Sequence, residues 1–242
     1  YLSRQHIGKT HLARLDGVRL ATFKNKELLT KSPSTVRKYL LLISRAINIG
    51  MKELGIPFDS NPVQMVSLPQ DPEHRDRVLT ESERINLYKS CDKSHVYNMR
   101  AIVELAFETL CRRGEIFNLK YEDCDLVSGT ALVKITKNGK PRSIGLSARA
   151  CEIIKSLPRS VSGKLFTIRS ISVFEKGFMK AVANAQIKDF HFHDLRHSGA
   201  THLAEEGWTL VELMAQGGWT SADMVKRYAN LTAKHLAKRL RR

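Results

Sequence analysis

No stretch of this 242-residue chain stays apolar for the ~18 residues that a membrane-spanning helix needs. The opening residues carry no signal-peptide pattern, and the chain shows no low-complexity tract and no internal repeat. Its four cysteines, Cys91, Cys111, Cys124 and Cys151, form no CxxC pair and lie in apolar or helical contexts. They are read as reduced, mostly structural thiols of a cytosolic protein. Acidic residues are also short: 24 Asp and Glu stand against 40 Lys and Arg, for a formal net charge of +16 and a pI near 9.9. A field of that sign concentrates polyanions and speeds encounter with them. Charge alone leaves a merely basic protein or an anionic membrane surface as rivals.

The length allows one large core or two modest ones. Residues 9–29 carry a loose helical pattern around Gly17. A clearer helix starts where Ser32 caps and Pro33 fills the first helical position, and it should run to Leu54 before Gly55 ends it. Val36, Leu40, Ile43, Ile47, Gly50 and Leu54 fall on one stripe of that helix. Lys38, Arg45 and Lys52 recur every seventh residue almost opposite it, as a solvated face or as phosphate contacts. One long helix with a short neighbour makes a thin core, so this reads as a truncated helical module. Pro57, Pro62, Pro69 and Pro72 then predict an extended linker over 59–78.

Thr80 with Glu83 forms a capping box that opens a second unit near residue 79. Helices are predicted over 81–91, 95–110, 148–156 and 171–185, the last burying Ile171, Phe174, Phe178 and Val182. Gly114 breaks the pattern after Cys111-Arg112-Arg113, which puts Arg112 at a turn, where it could simply pair with Glu115 on the surface. Residues 131–136 and 142–146 flank Lys137-Asn138-Gly139-Lys140-Pro141, and Asn-Gly supplies the positive-φ positions of a type I′ hairpin turn. Lys137, Lys140 and Arg142 either keep the hairpin tip soluble or extend cations into a groove.

From His193 to Tyr228 the chain carries His193-x-x-Arg196, then Gly217-Gly218-Trp219, then a tyrosine on a polar helix. Two other readings compete here. His193 and His197 are an i,i+4 pair that could hold zinc, but no HExxH glutamate accompanies them, so no metal or other cofactor is assigned. Helices at 194–206 and 210–215 could make a helix-turn-helix, yet Leu210–Ala215 offers no base-reading Arg, Asn or Gln. Each signal is weak alone. Arg112 with Gly114-Glu115, a lysine at a hairpin tip, HxxR, and GGW nine residues before a tyrosine nevertheless occur in one order.

That ordered set resembles the tyrosine recombinase (phage integrase-type) family, and the resemblance covers essentially the whole chain. It implies a mainly α fold with a small antiparallel hairpin or sheet. The implied domains are a truncated core-binding domain at 1–58, a linker at 59–78 and a catalytic domain at 79–242, with the family's arm-binding domain outside this chain. It also implies roles for individual residues. Arg112 and Arg196 would clamp the phosphate, with Glu115 supporting Arg112. Lys137, with Lys140 as rival, would protonate the leaving 5′-oxygen. His193 would accept or relay a proton, Trp219 would stand where the family has His or Trp, and Tyr228 would be the nucleophile. Leu110 replaces a common glycine, and Gly217-Gly218-Trp219 replaces the usual Leu-Gly-His.

On this resemblance the expected function is a site-specific recombinase or integrase that cleaves and rejoins DNA through a 3′-phosphotyrosine on Tyr228, with neither ATP nor metal. Nearby cations should lower the Tyr228 pKa. Lys38, Arg45, Lys52, Lys140 and Arg142 are expected to contact DNA. Double-stranded DNA is the expected partner, with an accessory DNA-bending protein possible, in a cytoplasm of bacterial, phage or mobile-element origin. Leu236, Ala237 and Leu240 on a terminal helix at 233–241 would support a tetramer on DNA, or else fold back or lie on phosphates. His197 and His202 are assigned to helix packing. A silent DNA-binding regulator and a type IB topoisomerase-like enzyme are the alternatives.

Overall fold

The computed structural model describes residues 1–70, 76–134 and 139–229. The chain divides into two compact units, Tyr1–Arg75 and Asp76–Arg242. In the first, three short 3₁₀ turns (Leu2–Arg4, His6–Lys9, Leu12–Arg14) precede α1, Gly17–Leu28. The Asp16 side chain accepts from the Arg19 N–H at 2.8 Å, which makes Gly17 the first helical residue and not the middle of a longer helix.

The second helix, α2 (Pro33–Glu53), begins as Ser32-Pro33 predicts and ends with Leu54 as cap and Gly55 at positive φ. Val36, Leu40, Ile47 and Gly50 are buried along it, but Leu54 is 73% exposed, because the helix has already stopped. Lys38, Arg45 and Lys52 are exposed on its outer side.

The expected extended linker is corrected over its first part. Pro62–Met65 is a 3₁₀ turn, and Val63 and Val66 are buried in the same cluster as Leu20, Phe23 and Leu40. Asn61 explains this. It is only 3% exposed, and its Oδ1 accepts from the Val63 N–H at 3.0 Å. Its Nδ2 donates to the Ser44 carbonyl (2.9 Å), the Ser44 hydroxyl (2.9 Å) and Asn48 Oδ1 (2.8 Å), all on α2. Proline at the first turn thus starts a 3₁₀ helix that a buried amide fastens, where proline content alone suggests extended chain.

The second unit opens with the predicted capping box at α3, Glu81–Asp92. There follow α4 (Met99–Thr109), α5 (Arg113–Asn118) and a sheet of β1 (Cys124–Asp125), β2 (Thr130–Val133) and β3 (Arg142–Gly145). The three strands are antiparallel in the order β1-β2-β3, with Ala131 opposite Ile144 and Val133 opposite Arg142. The two predicted strands do pair antiparallel, but β2 is shorter than the predicted 131–136, and β1 is an addition. The predicted turn and Lys137 lie outside the described residues.

Four further helices complete the unit: α6 (Ala148–Ser156), α7 (Ile171–Asn184), α8 (Asp194–Glu205) and α9 (Leu210–Gly217). A short α10 (Asp223–Lys226) and a 3₁₀ turn over Arg227–Ala229 follow. The fold class is therefore mainly α with a small antiparallel sheet, as expected. The predicted helix at 233–241 lies outside the described residues.

Two apolar clusters hold the unit. The larger is built on α3, α4, α6, α7 and the sheet, where Phe174 meets Phe117 and Phe192 edge-on at centroid distances of 5.0 and 5.2 Å. Such pairs add about 0.5–1.5 kcal/mol each to their burial. The smaller joins Leu110, Ala200, Ala204, Leu213, Trp219, Val225 and Tyr228. It is a separate cluster that includes Trp219 and Tyr228 of the C-terminal stretch.

Truncating Asn61 to alanine should remove its amide contacts to Ser44 and Asn48 on α2 and leave the Val63 N–H without its acceptor. We expect a loss of about 1–3 kcal/mol in the first unit, read as reduced amide-exchange protection across α2 and Pro62–Met65 in the full chain. Unchanged protection would mean that the turn holds without the amide.

Candidate active site

The site begins where α4 stops. Thr109 turns its hydroxyl back to the Leu105 carbonyl at 2.6 Å, and Leu110 takes a left-handed conformation at φ 57°. A leucine there costs about 1–2 kcal/mol of backbone strain. The turn aims the Leu110 carbonyl inward, where Arg196 Nη1 on α8 donates to it at 2.6 Å and also to the Gly217 carbonyl at 2.6 Å. Arg196 is 2% exposed, and its guanidinium carbon lies 3.9 Å from the centroid of the Trp219 ring. Its Nη2 has no hydrogen-bond partner among the described residues. Burial, and then the positive charge of Arg112, lowers its pKa to about 10, so it remains charged at neutral pH.

Arg112 is the cap of α5, at the predicted turn. Its pairing with Glu115 is not a surface pair, because Glu115 is 4% exposed. The Glu115 carboxylate accepts from the Arg112 backbone N–H at 2.8 Å and from Arg112 Nη1 at 3.0 Å. It also takes a two-pronged contact from Arg142, Nη1 to Oε1 and Nη2 to Oε2, both at 2.9 Å. Burial works to raise the Glu115 pKa, but the Arg142 and Arg112 bonds outweigh it and hold the carboxyl below its ordinary value.

Arg142 therefore departs from its expected DNA-contacting role. It lies at the base of β3, turned inward to Glu115, with its Nε reaching the Gln216 carbonyl at 3.4 Å. Gly218 adjoins it: a Cβ there would come within 2.8 Å of Arg142 Cδ, and its φ of 67° favours glycine in any case. Gly217 is needed for space, since a Cβ would meet the Trp219 ring at 2.0 Å. Gly217-Gly218-Trp219 is thus a fitted unit. Trp219, 7% exposed, lies between the Arg196 guanidinium and the Tyr228 ring, whose centroid is 5.4 Å away.

Tyr228 is 7% exposed, and burial pushes its pKa up to about 12 although Arg227 and Arg196 pull the other way. The expectation that nearby cations would lower it is corrected: desolvation wins. Its hydroxyl is hydrogen-bonded to His197 Nδ1. His197, assigned from sequence to helix packing, is in fact a contact of the candidate nucleophile. Burial first, and then His193, lowers its pKa to about 4. His193 is exposed at the start of α8, its ring edge-on to that of His197 at 5.1 Å. His202 packs against Phe107 at 5.6 Å between centroids and approaches Glu206 at 3.4 Å, as helix packing requires.

Gln216 is a second residue missed in the sequence. Its Oε1 accepts from the Gly145 N–H at 2.9 Å, and its Nε2 donates to the carbonyls of Gly145 (2.9 Å) and Thr109 (3.3 Å). One amide so ties β3 and the end of α4 to α9. The available signal was a polar residue near the C-terminal end of a helix whose other polar side chain, Glu212, is accounted for by its N-terminal capping box.

Arg112, Glu115, Arg142, Arg196, His197, Trp219 and Tyr228 are linked by these contacts. Lys137 falls outside the described residues, and Lys140 is exposed. Among the described residues no three His, Cys, Asp or Glu side chains are grouped as a metal would need.

The phage integrase family model matches residues 77–235. The chain is 34% identical to the shufflon-specific DNA recombinase of Escherichia coli, over 99% of this chain and 64% of that protein. It is 28% identical to the integrase of Salmonella phage P22, over 94% of this chain and 61% of that one. This chain spans less than two thirds of the length of these two curated relatives.

Among solved structures, that of the XerH site-specific recombinase bound to a palindromic difH substrate superposes with a TM-score of 0.75 at 21% identity, over 96% of this chain and 74% of that one. The Tn1549 transposon integrase in complex with a circular intermediate DNA gives 0.80 at 15%, over 99% and 89%. These likenesses show a shared fold. The chain belongs to the phage integrase family, the tyrosine recombinases.

Replacing Glu115 with Gln leaves the half-buried guanidinium groups of Arg112 and Arg142 without their shared counter-charge. We expect a loss of roughly 1–3 kcal/mol, read by denaturant unfolding at neutral pH. Because the folded carboxyl titrates lower than the unfolded one, its contribution is complete above the ordinary value of 4.5 and is lost as pH falls through the folded value. The wild type should show that acid slope, and the Gln variant should lack the share due to Glu115.

Proposed function

We propose that this chain cleaves and rejoins strands of double-stranded DNA at specific sites through a covalent 3′-phosphotyrosine on Tyr228. The observation that carries the reading is a buried, charged Arg196 with an unpartnered Nη2, in one contact network with Arg112, Trp219 and Tyr228.

A phosphodiester resists attack because its charge repels the nucleophile and its alkoxide is a poor leaving group. Arg112 and Arg196 donate charge-assisted bonds to the non-bridging oxygens and offset the charge that grows at phosphorus. Trp219 holds the Arg196 plane and excludes water from that side. His193, exposed at the mouth, bonds the arriving diester or relays a proton. Lys137, or Lys140 in its place, protonates the 5′-oxygen. The ester on Tyr228 conserves the bond energy, so another 5′-hydroxyl can reseal the strand without ATP. Glu115, held by Arg142, sets the aim of Arg112.

The first unit serves as a core-binding domain, with Lys38, Arg45 and Lys52 on DNA phosphates. Assembly into a tetramer on DNA uses the residues after Tyr228, and an accessory DNA-bending protein assists. The cellular setting is bacterial, phage or mobile-element cytoplasm, at the nucleoid. A family model over most of the second unit and relatives named as a DNA recombinase and an integrase support the recombinase reading on which these assignments rest.

The test uses nicked duplexes with randomised arms, from which covalent adducts are recovered on a denaturing gel and sequenced. Wild-type protein should yield adducts on a recurrent sequence. Tyr228→Phe should bind the recovered duplex equally and form none; adducts that persist in this variant would sink the assignment. Binding should also weaken steeply with salt, as several neutralised phosphates release their counterions, and a flat salt response would contradict a phosphate-tracking surface.

A further inference from the structure

We propose that His197 is the group that takes the phenolic proton of Tyr228 as its hydroxyl attacks phosphorus. This rests on the cleavage reaction proposed above and assigns a step within it.

The geometry begins with α8. Arg196 and His197 are adjacent, so the helix sends the guanidinium inward to the Leu110 and Gly217 carbonyls and turns the imidazole toward the segment carrying Tyr228. His197 Nδ1 and the Tyr228 hydroxyl are hydrogen-bonded, with ring centroids 5.8 Å apart and planes inclined by 35°. The Tyr228 ring also packs against Trp219, with centroids 5.4 Å apart, which helps hold the hydroxyl at the imidazole. The charged and titratable groups facing His197 are His193, Asp194 and Arg196 on its own helix and Arg227 beside Tyr228.

Burial has two effects that suit this role. It keeps the His197 ring neutral at pH 7, which leaves the Nδ1 lone pair available when the ring proton sits on Nε2. It also keeps the Tyr228 hydroxyl protonated, so attack requires a group to remove that proton. The phenolic oxygen loses proton affinity as its bond to phosphorus forms, and the anionic diester raises that of the imidazole.

The step balances. The Tyr228 Oη–phosphorus bond forms and the phosphorus–O5′ bond breaks. The phenolic proton moves to His197 Nδ1, and the leaving oxygen takes its proton from the hairpin lysine. In rejoining, the O5′–phosphorus bond forms as the 5′-hydroxyl gives its proton back to the hairpin lysine, and the His197 imidazolium returns its proton to Tyr228 Oη as the phosphotyrosine bond breaks.

The test uses the full chain and the duplex recovered above. His197→Ala should bind it as wild type does, yet slow single-turnover cleavage by roughly 10²–10³-fold. His197→Asn separates holding from proton transfer. Its Oδ1 can accept the phenolic hydrogen bond where Nδ1 did, but it takes up no proton at neutral pH, so it should stay slow. A rate restored to near wild type by Asn would overturn the proposal and leave His197 as a positioning residue.

A fluorinated tyrosine at position 228, whose phenol is more acidic, should shrink the His197→Ala deficit. An unchanged deficit would also overturn it. If Tyr228 forms adducts and His197→Ala forms them at the wild-type rate, this inference alone fails. If wild type forms none, the proposed cleavage reaction fails and takes the inference with it.

Discussion

Among the described residues, one buried guanidinium with no carboxylate hydrogen-bonded to it governs the site. Arg196 is 2% exposed, and among the described residues its hydrogen bonds run to the carbonyls of Leu110 and Gly217. Taking such a cation out of water costs several kcal/mol, which neutral dipoles and an indole face offset only in part. The neighbouring irregularities serve that placement. Leu110 accepts a left-handed backbone so that its carbonyl points inward, and Gly217 gives up a side chain so that Trp219 can lie beneath the charge. A site that keeps an uncompensated cation ready is prepared for an anion before one arrives.

Glu115 is the counterweight to this arrangement. One buried carboxylate is shared between Arg112 and Arg142, so the three-residue group keeps a surplus positive charge. The surplus is directional. Arg142 binds with both prongs and is held between β3, α5 and α9, whereas Arg112 binds Glu115 with one guanidinium nitrogen, besides its backbone N–H, and is 22% exposed in its side chain. The arginine that faces outward is thereby aimed by the one that does not. Gln216 adds stiffness by bonding both polar atoms of Gly145 on β3 while reaching the carbonyl of Thr109. The hairpin that leads to Lys137 is anchored at its base by the same residues that orient the arginines.

Much of the fold could be read from local signals. Ser32-Pro33, Thr80 with Glu83, and Ser147 each act within one helical turn, and each helix starts where they place it. The ordered set of Arg112, His193-x-x-Arg196, Gly217-Gly218-Trp219 and Tyr228 was likewise visible, because it depends on identity and order alone. What escaped depends on tertiary distance. Nothing local distinguishes Arg142 from other hairpin cations, since its partner lies 27 positions earlier. His197 resembles any histidine on a helix until Tyr228, 31 residues later, is brought against it. The 59–70 segment was misread for a related reason: proline content reports what a backbone cannot do, and the decisive group was a single buried amide on Asn61.

Leu110 and Gly199 also bear on how this sequence can change through descent. A Cβ at position 199 would fall 2.7 Å from Leu110 Cδ2 and 2.2 Å from the Phe107 carbonyl oxygen, so the leucine occupies room that the glycine leaves. Side-chain volume at one position is borrowed from the other. A smaller residue at 110 would ease the backbone but open a void in the floor under Tyr228, and a larger one at 199 would displace the turn that holds Arg196. The Phe107 carbonyl bars a side chain at 199 whatever stands at 110, so a smaller residue at 110 would need its compensating bulk from other members of the floor, such as Ala200, Ala204 or Leu213.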